Sequence, residues 1–398
     1  MPLILFRMGL WVGMLLPWLE AGGLSAFEEN QSAKPTKQRT QNSKSDRPAE
    51  RGRGPAPRAN NVQVVHDPTG FIPLCDLGER KYKDLDGGLY GDGQNNLPPA
   101  HQTLAREALG RIQPLDAGGK PAADGKIVMI SIGMSNTTME FMTFKKLADA
   151  DPAKSPQVVI VDTAQGGRTA GSWANSLSGN TKRSEVPLQN ERYKGTPGEN
   201  QPDQEKFGAG HTVWEEADRR IRLAGATPQQ VQVVWIKLAG SIKLGYPEHI
   251  QQYQGHLATI VRLAKSRYPN LQIAYLSSRI YAGYATTMLN PEPWSYESAF
   301  GVRGLIQKQI EGDPKLNADP ARGPVKAPVL LWGPYLWADG TRPRIDGLTW
   351  ERQDLARDGI HPTRTGTRKV GEQLLRFLKT NPLARSWFTG KSDDIQRR

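Results

Sequence analysis

Two short stretches of this 398-residue chain carry side chains that can perform acyl-transfer chemistry together. The first reads Ser131-Ile132-Gly133-Met134-Ser135-Asn136-Thr137 and lies between an apolar run and a helix-like segment, Met139 to Leu147. A serine at a strand-to-helix turn stands beside helix N-terminal amides that have no intrahelical partner, and such amides can hold an oxyanion. Ser, Asn and Thr are also the residues that cap helices, so Ser135 alone carries two readings, nucleophile and cap. The second stretch, near the C-terminus, reads Arg357-Asp358-Gly359-Ile360-His361-Pro362-Thr363. A carboxylate three residues before a histidine, in a loop that precedes a last helix, lets Asp358 orient the imidazole of His361 while that ring acts as a base. Pro362 suits a helix start, where its missing N–H costs nothing. The plainer alternative is that Asp358 caps the loop and His361 lies on the surface.

Positioning these residues requires a scaffold, and five short apolar runs supply one: Lys126 to Ile132, Val158 to Asp162, Val231 to Lys237, Leu271 to Ser277 and Val329 to Trp332. Each is too short for a helix and most are rich in β-branched residues, the pattern of buried parallel strands. Amphipathic segments alternate with them, notably Thr212 to Ala224, His249 to Tyr268 and Thr365 to Lys379. Such alternation predicts an α/β fold, a three-layer α/β/α sandwich around a central parallel sheet of about five strands, flavodoxin-like in type. Ligands of such sheets bind beyond the carboxyl ends of the strands, where the Ser135 and His361 stretches both fall.

Order and placement of these blocks resemble the SGNH or GDSL-type hydrolases over roughly Lys126 to Leu378. That family has a Ser block after strand one, a Gly block after strand two, an Asn block after strand three and an Asp-x-x-His block near the C-terminus. Here Gly133-Met134-Ser135 resembles the first, with Met in place of the usual Asp, and Ala164 to Thr169 resembles the second. Asp358-Gly359-Ile360-His361 matches the last without change. The resemblance implies an exported bacterial hydrolase with a Ser135, His361 and Asp358 triad, and an oxyanion hole made by the Ser135 and Gly167 amides. In the third block the sequence departs. Strand three runs into Ile236-Lys237-Leu238-Ala239-Gly240-Ser241, which puts Gly240 where the family has its Asn. Loss of one such donor commonly costs about 2.7–4 kcal/mol of transition-state stabilisation. Ser241 is the candidate substitute, and a Gly-Ser turn of purely structural purpose is the alternative.

The loop after strand four, Ser277 to Tyr284, adds a cation and aromatic rings. Arg279 either binds a carboxylate or sulfate of the substrate or pairs with a local carboxylate such as Glu297. Tyr281, or Tyr284, is a stacking candidate for a sugar, with Trp173 in the connection after strand two and Trp294 in Asn290 to Glu297, read as a rigid rim. Trp332, Trp337 and Trp350 are weaker candidates, because tryptophan is equally a core residue. Two functions follow: serine-dependent hydrolysis of an ester, with a carbohydrate ester as one class, or a catalytically silent protein of this fold that binds glycans or a cell-surface partner.

Arg7, the apolar run Leu10 to Leu19 and small residues through Ala26 form a signal-peptide pattern over residues 1–26. The run is about ten residues, short of the roughly 20 of a membrane span, so no stable span is expected after cleavage; retention as an anchor is the alternative. Residues 27–60 lack apolar periodicity and read as a disordered basic tether. The formal charge of +12 owes much to this segment, which holds Lys34, Lys37, Arg39, Lys44, Arg47, Arg51, Arg53 and Arg58, so it does not argue for nucleic-acid binding. The remaining expectations are an N-terminal elaboration over 61–125, a hydrolase-like domain over 126–385 with an insertion at 168–210, and a flexible tail over 386–398. Cys75 is the single cysteine, which rules out an intrachain disulfide. No cofactor is expected. His249 and His256 are seven residues apart and too distant for joint metal binding, His66 and His101 lie in the elaboration, and His211 precedes a helix; no motif supports a metal.

Overall fold

A computed structural model describes residues 67–176 and 212–390, all within one compact unit spanning Asn60–Arg398. The signal-peptide and tether expectations, most of the 168–210 insertion, the tail beyond 390, His66 and His211 lie outside the described residues.

Five strands form one parallel sheet: β1 (Ile127–Gly133), β2 (Val158–Val161), β3 (Val231–Lys237), β4 (Ile273–Leu276) and β5 (Val329–Trp332). Their order is β2-β1-β3-β4-β5, with β1 and β3 paired at the centre so that Gly133 stands opposite Lys237. Every residue of β1 and β3 is buried, which is why these runs are apolar apart from Ser131, Gln232 and Lys237 instead of alternating. Right-handed crossovers in this order put the helix after β1 on one face and the helices after β3 and β4 on the other. These are α2 (Ser135–Asp149), which packs against α7 (Arg364–Thr380), and α5 (Glu248–Arg267), which packs against α6 (Trp294–Ile310). The sandwich therefore has the three layers the alternating pattern implies. Phe141 of α2 stacks on Trp235 of β3 with centroids 5.7 Å apart, locking helix to sheet.

Three further helices are α1 (Pro99–Gly110), α3 (Ala170–Ala174) and α4 (Val213–Leu223), and α8 (Arg385–Thr389) ends the described chain. Thr212 caps α4 reciprocally: its hydroxyl accepts from the Glu215 N–H at 3.2 Å and the Glu215 carboxylate accepts from the Thr212 N–H at 2.7 Å. The segment expected as a rigid rim, Asn290 to Glu297, instead leads into α6, a 17-residue helix buried along most of its length.

Residues 67–98 are tied across α6 and the loop after β5. Asp339, 1% exposed, accepts from the Thr69 N–H, the Thr69 hydroxyl and the Gly70 N–H at 2.5–2.9 Å. The Trp332 indole donates to the Leu89 carbonyl at 2.6 Å, and Arg303 donates to the Asp86 carbonyl at 2.6 Å. Among the described residues no helix is long and apolar enough to cross a membrane.

Candidate active site

Ser135 is the first residue of α2, directly after the turn from β1, so its N–H is one of the amides a helix leaves unpaired. The turn is braced from three sides. The Thr137 hydroxyl donates to the Lys237 carbonyl at 2.6 Å, the Thr138 hydroxyl donates to the Ala164 carbonyl at 2.9 Å, and the Gln165 N–H donates to the Gly133 carbonyl at 3.0 Å. Gly133 admits this brace because a Cβ there would lie 2.2 Å from Thr137 Oγ1.

The loop before α7 meets the turn. Ser135 Oγ lies 2.8 Å from His361 Nε2, and His361 Nδ1 lies 2.5 Å from Asp358 Oδ2. The other carboxylate oxygen, Oδ1, accepts from the Ile360 and His361 N–H groups, both at 3.0 Å. Burial alone would raise the Asp358 carboxyl, yet the His361 imidazole and these two amides outweigh it and hold the group down at about 2. Asn136, 2% exposed, donates from Nδ2 to the Ile360 carbonyl at 2.9 Å and so fastens the histidine loop to the helix start. Gly359 sits at φ 69° against the Tyr284 carbonyl, where no Cβ fits.

Beside the serine, Gln165 to Arg168 form a turn closed by the Arg168 N–H on the Gln165 carbonyl at 3.2 Å, with Gly167 at φ 72°. Both glycines are exposed and neither N–H donates a hydrogen bond among the described residues. Gly166 faces the serine, since a Cβ built on it would stand 3.9 Å from Ser135 Cβ, while one on Gly167 would meet nothing. The sequence pattern singles out Gly167; the structure brings Gly166 into the same position of interest.

At the end of β3, Gly240 has no left-handed backbone; its constraint is Tyr253, whose Cβ would lie 3.2 Å from an added Cβ. Ser241 Oγ accepts from the Lys243 N–H at 3.2 Å in a local turn.

Three of the expected substrate contacts are corrected. Trp173 is fully buried, donating to the Gly133 carbonyl at 3.2 Å and set edge-on to Trp214, so it is core and not a stacking face. Tyr281 is fully buried against Trp337, and Arg279 is 2% exposed. The Arg279 to Glu297 pair is not formed either, because Glu297 takes Tyr82 at 2.6 Å and Lys83 at 2.8 Å. Trp332, Trp337 and Trp350 are buried as well. Trp294 remains half-buried at the start of α6, its indole donating to the Leu244 carbonyl at 3.1 Å. Tyr284 is also half-buried, bonded to Asp67.

Sequence reasoning missed a buried ion pair one turn along α2. Glu140 takes Lys237 Nζ on both carboxylate oxygens, at 2.8 and 2.7 Å, and neither side chain is exposed. Burial pushes the lysine down to about 8 and the glutamate up, with each partner opposing the shift of the other. The signal was present: Lys237 is the one charge in a buried, mostly apolar run, and such a charge requires a partner. Among the described residues no group of three His, Cys, Asp or Glu side chains converges as a metal site would.

No protein-family model matches the chain, and no curated protein matches it. The solved structures that are similar in part include the following two. One is a carbohydrate esterase family 3 protein from Talaromyces cellulolyticus, 11% identical, with a TM-score of 0.34 over 63% of this chain and 94% of that one. The other, described as "a putative SGNH hydrolase" from Slackia heliotrinireducens, is 13% identical, with a TM-score of 0.29 over 64% of this chain and 99% of that one. Identities this low leave the chemistry to be argued from the residues of the chain itself.

Proposed function

We propose that the chain is a serine-dependent ester hydrolase of the SGNH type, acting on a small ester, with carbohydrate esters as one class. The observation that carries this reading is the continuous relay from Ser135 Oγ through His361 to Asp358, with distances of 2.8 and 2.5 Å. In this reading Ser135 attacks the ester carbonyl while His361 Nε2 takes its proton, and Asp358 holds Nδ1–H so that Nε2 is free to accept. The protonated ring then returns the proton to the leaving alcohol, and water reverses the sequence to release the acid. Negative charge on the carbonyl oxygen falls beside the unclaimed N–H groups of Ser135, Gly166 and Gly167. Ser241 is the remaining side-chain donor candidate, and half-buried Trp294 is the stacking candidate for a sugar ring. Export, with cleavage near Phe27, belongs to the same proposal and is checked by N-terminal sequencing of protein from the native host.

The test is a panel of acetylated sugars and short p-nitrophenyl esters on purified protein. Ser135→Ala should abolish turnover without loss of stability. A specific observation supports a second reading, a weak or silent glycan-binding protein: Gly240 brings no side-chain donor to the end of β3, and Tyr253 crowds the position. Retained glycan binding with no turnover on any ester of the panel would favour it.

A further inference from the structure

Taking two opposite charges out of water costs about as much as their attraction returns, and a well-packed apolar pair in the same space is commonly as stable or more so. Lys237 and Glu140 are such charges. Neither side chain is exposed, and the lysine Nζ stands 2.8 and 2.7 Å from the two carboxylate oxygens. Stability alone does not explain that choice. A directional link on both carboxylate oxygens does what apolar contact cannot, because it fixes one element at a single position on another.

The link is made where position matters to the serine. Lys237 is the last residue of β3 and is in register with Gly133, the last of β1, and α2 begins two residues later with Ser135. The Lys237 carbonyl accepts from the Thr137 hydroxyl at 2.6 Å while its Nζ holds Glu140, so one residue of the sheet grips α2 at two points. Thr137 and Glu140 are three apart and share a face of the helix, so bonds at these two heights fix both its rotation and its distance from the strand ends. The same first turn bears the contacts to the histidine loop: Ser135 Oγ lies 2.8 Å from His361 Nε2, and Asn136 Nδ2 donates to the Ile360 carbonyl at 2.9 Å. A small rotation of α2, which apolar packing would tolerate, carries both side chains off their partners. We propose that Lys237 and Glu140 are positioning residues whose ion pair fixes α2 on β3 and thereby aligns the Ser135 hydroxyl with His361. This rests on the hydrolase reading. Both side chains are fully buried and touch no substrate, so the gain in alignment falls on turnover and not on affinity.

The experiment measures kcat, KM, thermal midpoint and the pH dependence of kcat/KM for wild type, the double variant Lys237→Met with Glu140→Met, and Glu140→Gln, on an ester the wild type accepts. Two methionines fill similar space and remove one charge of each sign, so no buried charge is left unpaired and the net charge around the triad is unaltered. The double variant should lose about 10- to 100-fold in kcat, with KM unchanged and the midpoint unchanged or raised. Glu140→Gln keeps one oxygen for the lysine Nζ and should fall between the two. The acid limb of kcat/KM, set by the imidazole, should stay where it is in wild type. A displaced limb would mean that the pair acts on the charge of His361 and not on alignment, and overturns the proposal. Wild-type kcat in the double variant, or kcat lost in either variant only in step with a fallen midpoint, marks the pair as structural and overturns it as well, with the hydrolase reading intact. Wild type inert toward every ester overturns both.

Discussion

Asp358 joins stability to chemistry at the scale of a single residue, because the same carboxylate that orients His361 also accepts two backbone N–H groups of its own loop. Its folded value near 2 is below the unfolded one, so its contribution to stability is present above about 4 and is lost as pH falls through about 2. Asp358→Asn should therefore remove part of the acid sensitivity: urea midpoints of wild type and variant should converge between pH 4 and 2. At neutral pH the same variant presents an amide to Nδ1 and favours the wrong tautomer, with kcat expected to fall by about 10⁴ as in comparable triads. Equal turnover in the two proteins would mean that the imidazole is oriented by something else. Asp358 and His361 were legible in the sequence because a fixed spacing in one loop is a local property. The Lys237 and Glu140 pair was not, since it joins residues on two elements that only the packing of α2 on the sheet brings together.

Elements were readable where burial imposes a pattern. Val231–Lys237 and Val329–Trp332 appear with the bounds that their apolar runs indicate, and α4, α5 and α7 lie within a residue of the amphipathic segments. The α6 helix escaped because residues on every side of it are buried, among them Ser295, Tyr296, Glu297, Gly301 and Arg303, so no apolar stripe marks its period. A signal for α1 existed in Pro99 at its first position. The joint between elements most exposed to test is Asn136. Asn136→Ala leaves the buried Ile360 carbonyl without its donor, a loss of about 1–3 kcal/mol by chemical denaturation, with kcat falling further as the histidine loop loosens. Gly240→Ala probes the other side of the site: its Cβ would press on Tyr253, which is itself held by Leu238, so the variant should lose about 1–3 kcal/mol. An unchanged midpoint would show that Tyr253 yields, leaving room for an Asn side chain.

For the molecule as a whole, the segment before α1 is bonded to the loops at the carboxyl edge of the sheet, where the candidate site lies. Asp339 holds Thr69 and Gly70, and Tyr284 beside the histidine loop is bonded to Asp67. Asp339→Ala strands three donors, so residues 67–98 should become cleavable by trypsin under conditions where the wild type resists, with the sheet itself still folded. Whether Ser135 acts as a nucleophile in the intact protein is read by covalent capture, without any assumption about the ester. Full-length protein treated with a fluorophosphonate and mapped by mass spectrometry should carry a stoichiometric adduct on Ser135, absent from Ser135→Ala and strongly reduced in His361→Ala. An unmodified Ser135, or an adduct on another residue, would mean that Ser135 is not the nucleophile.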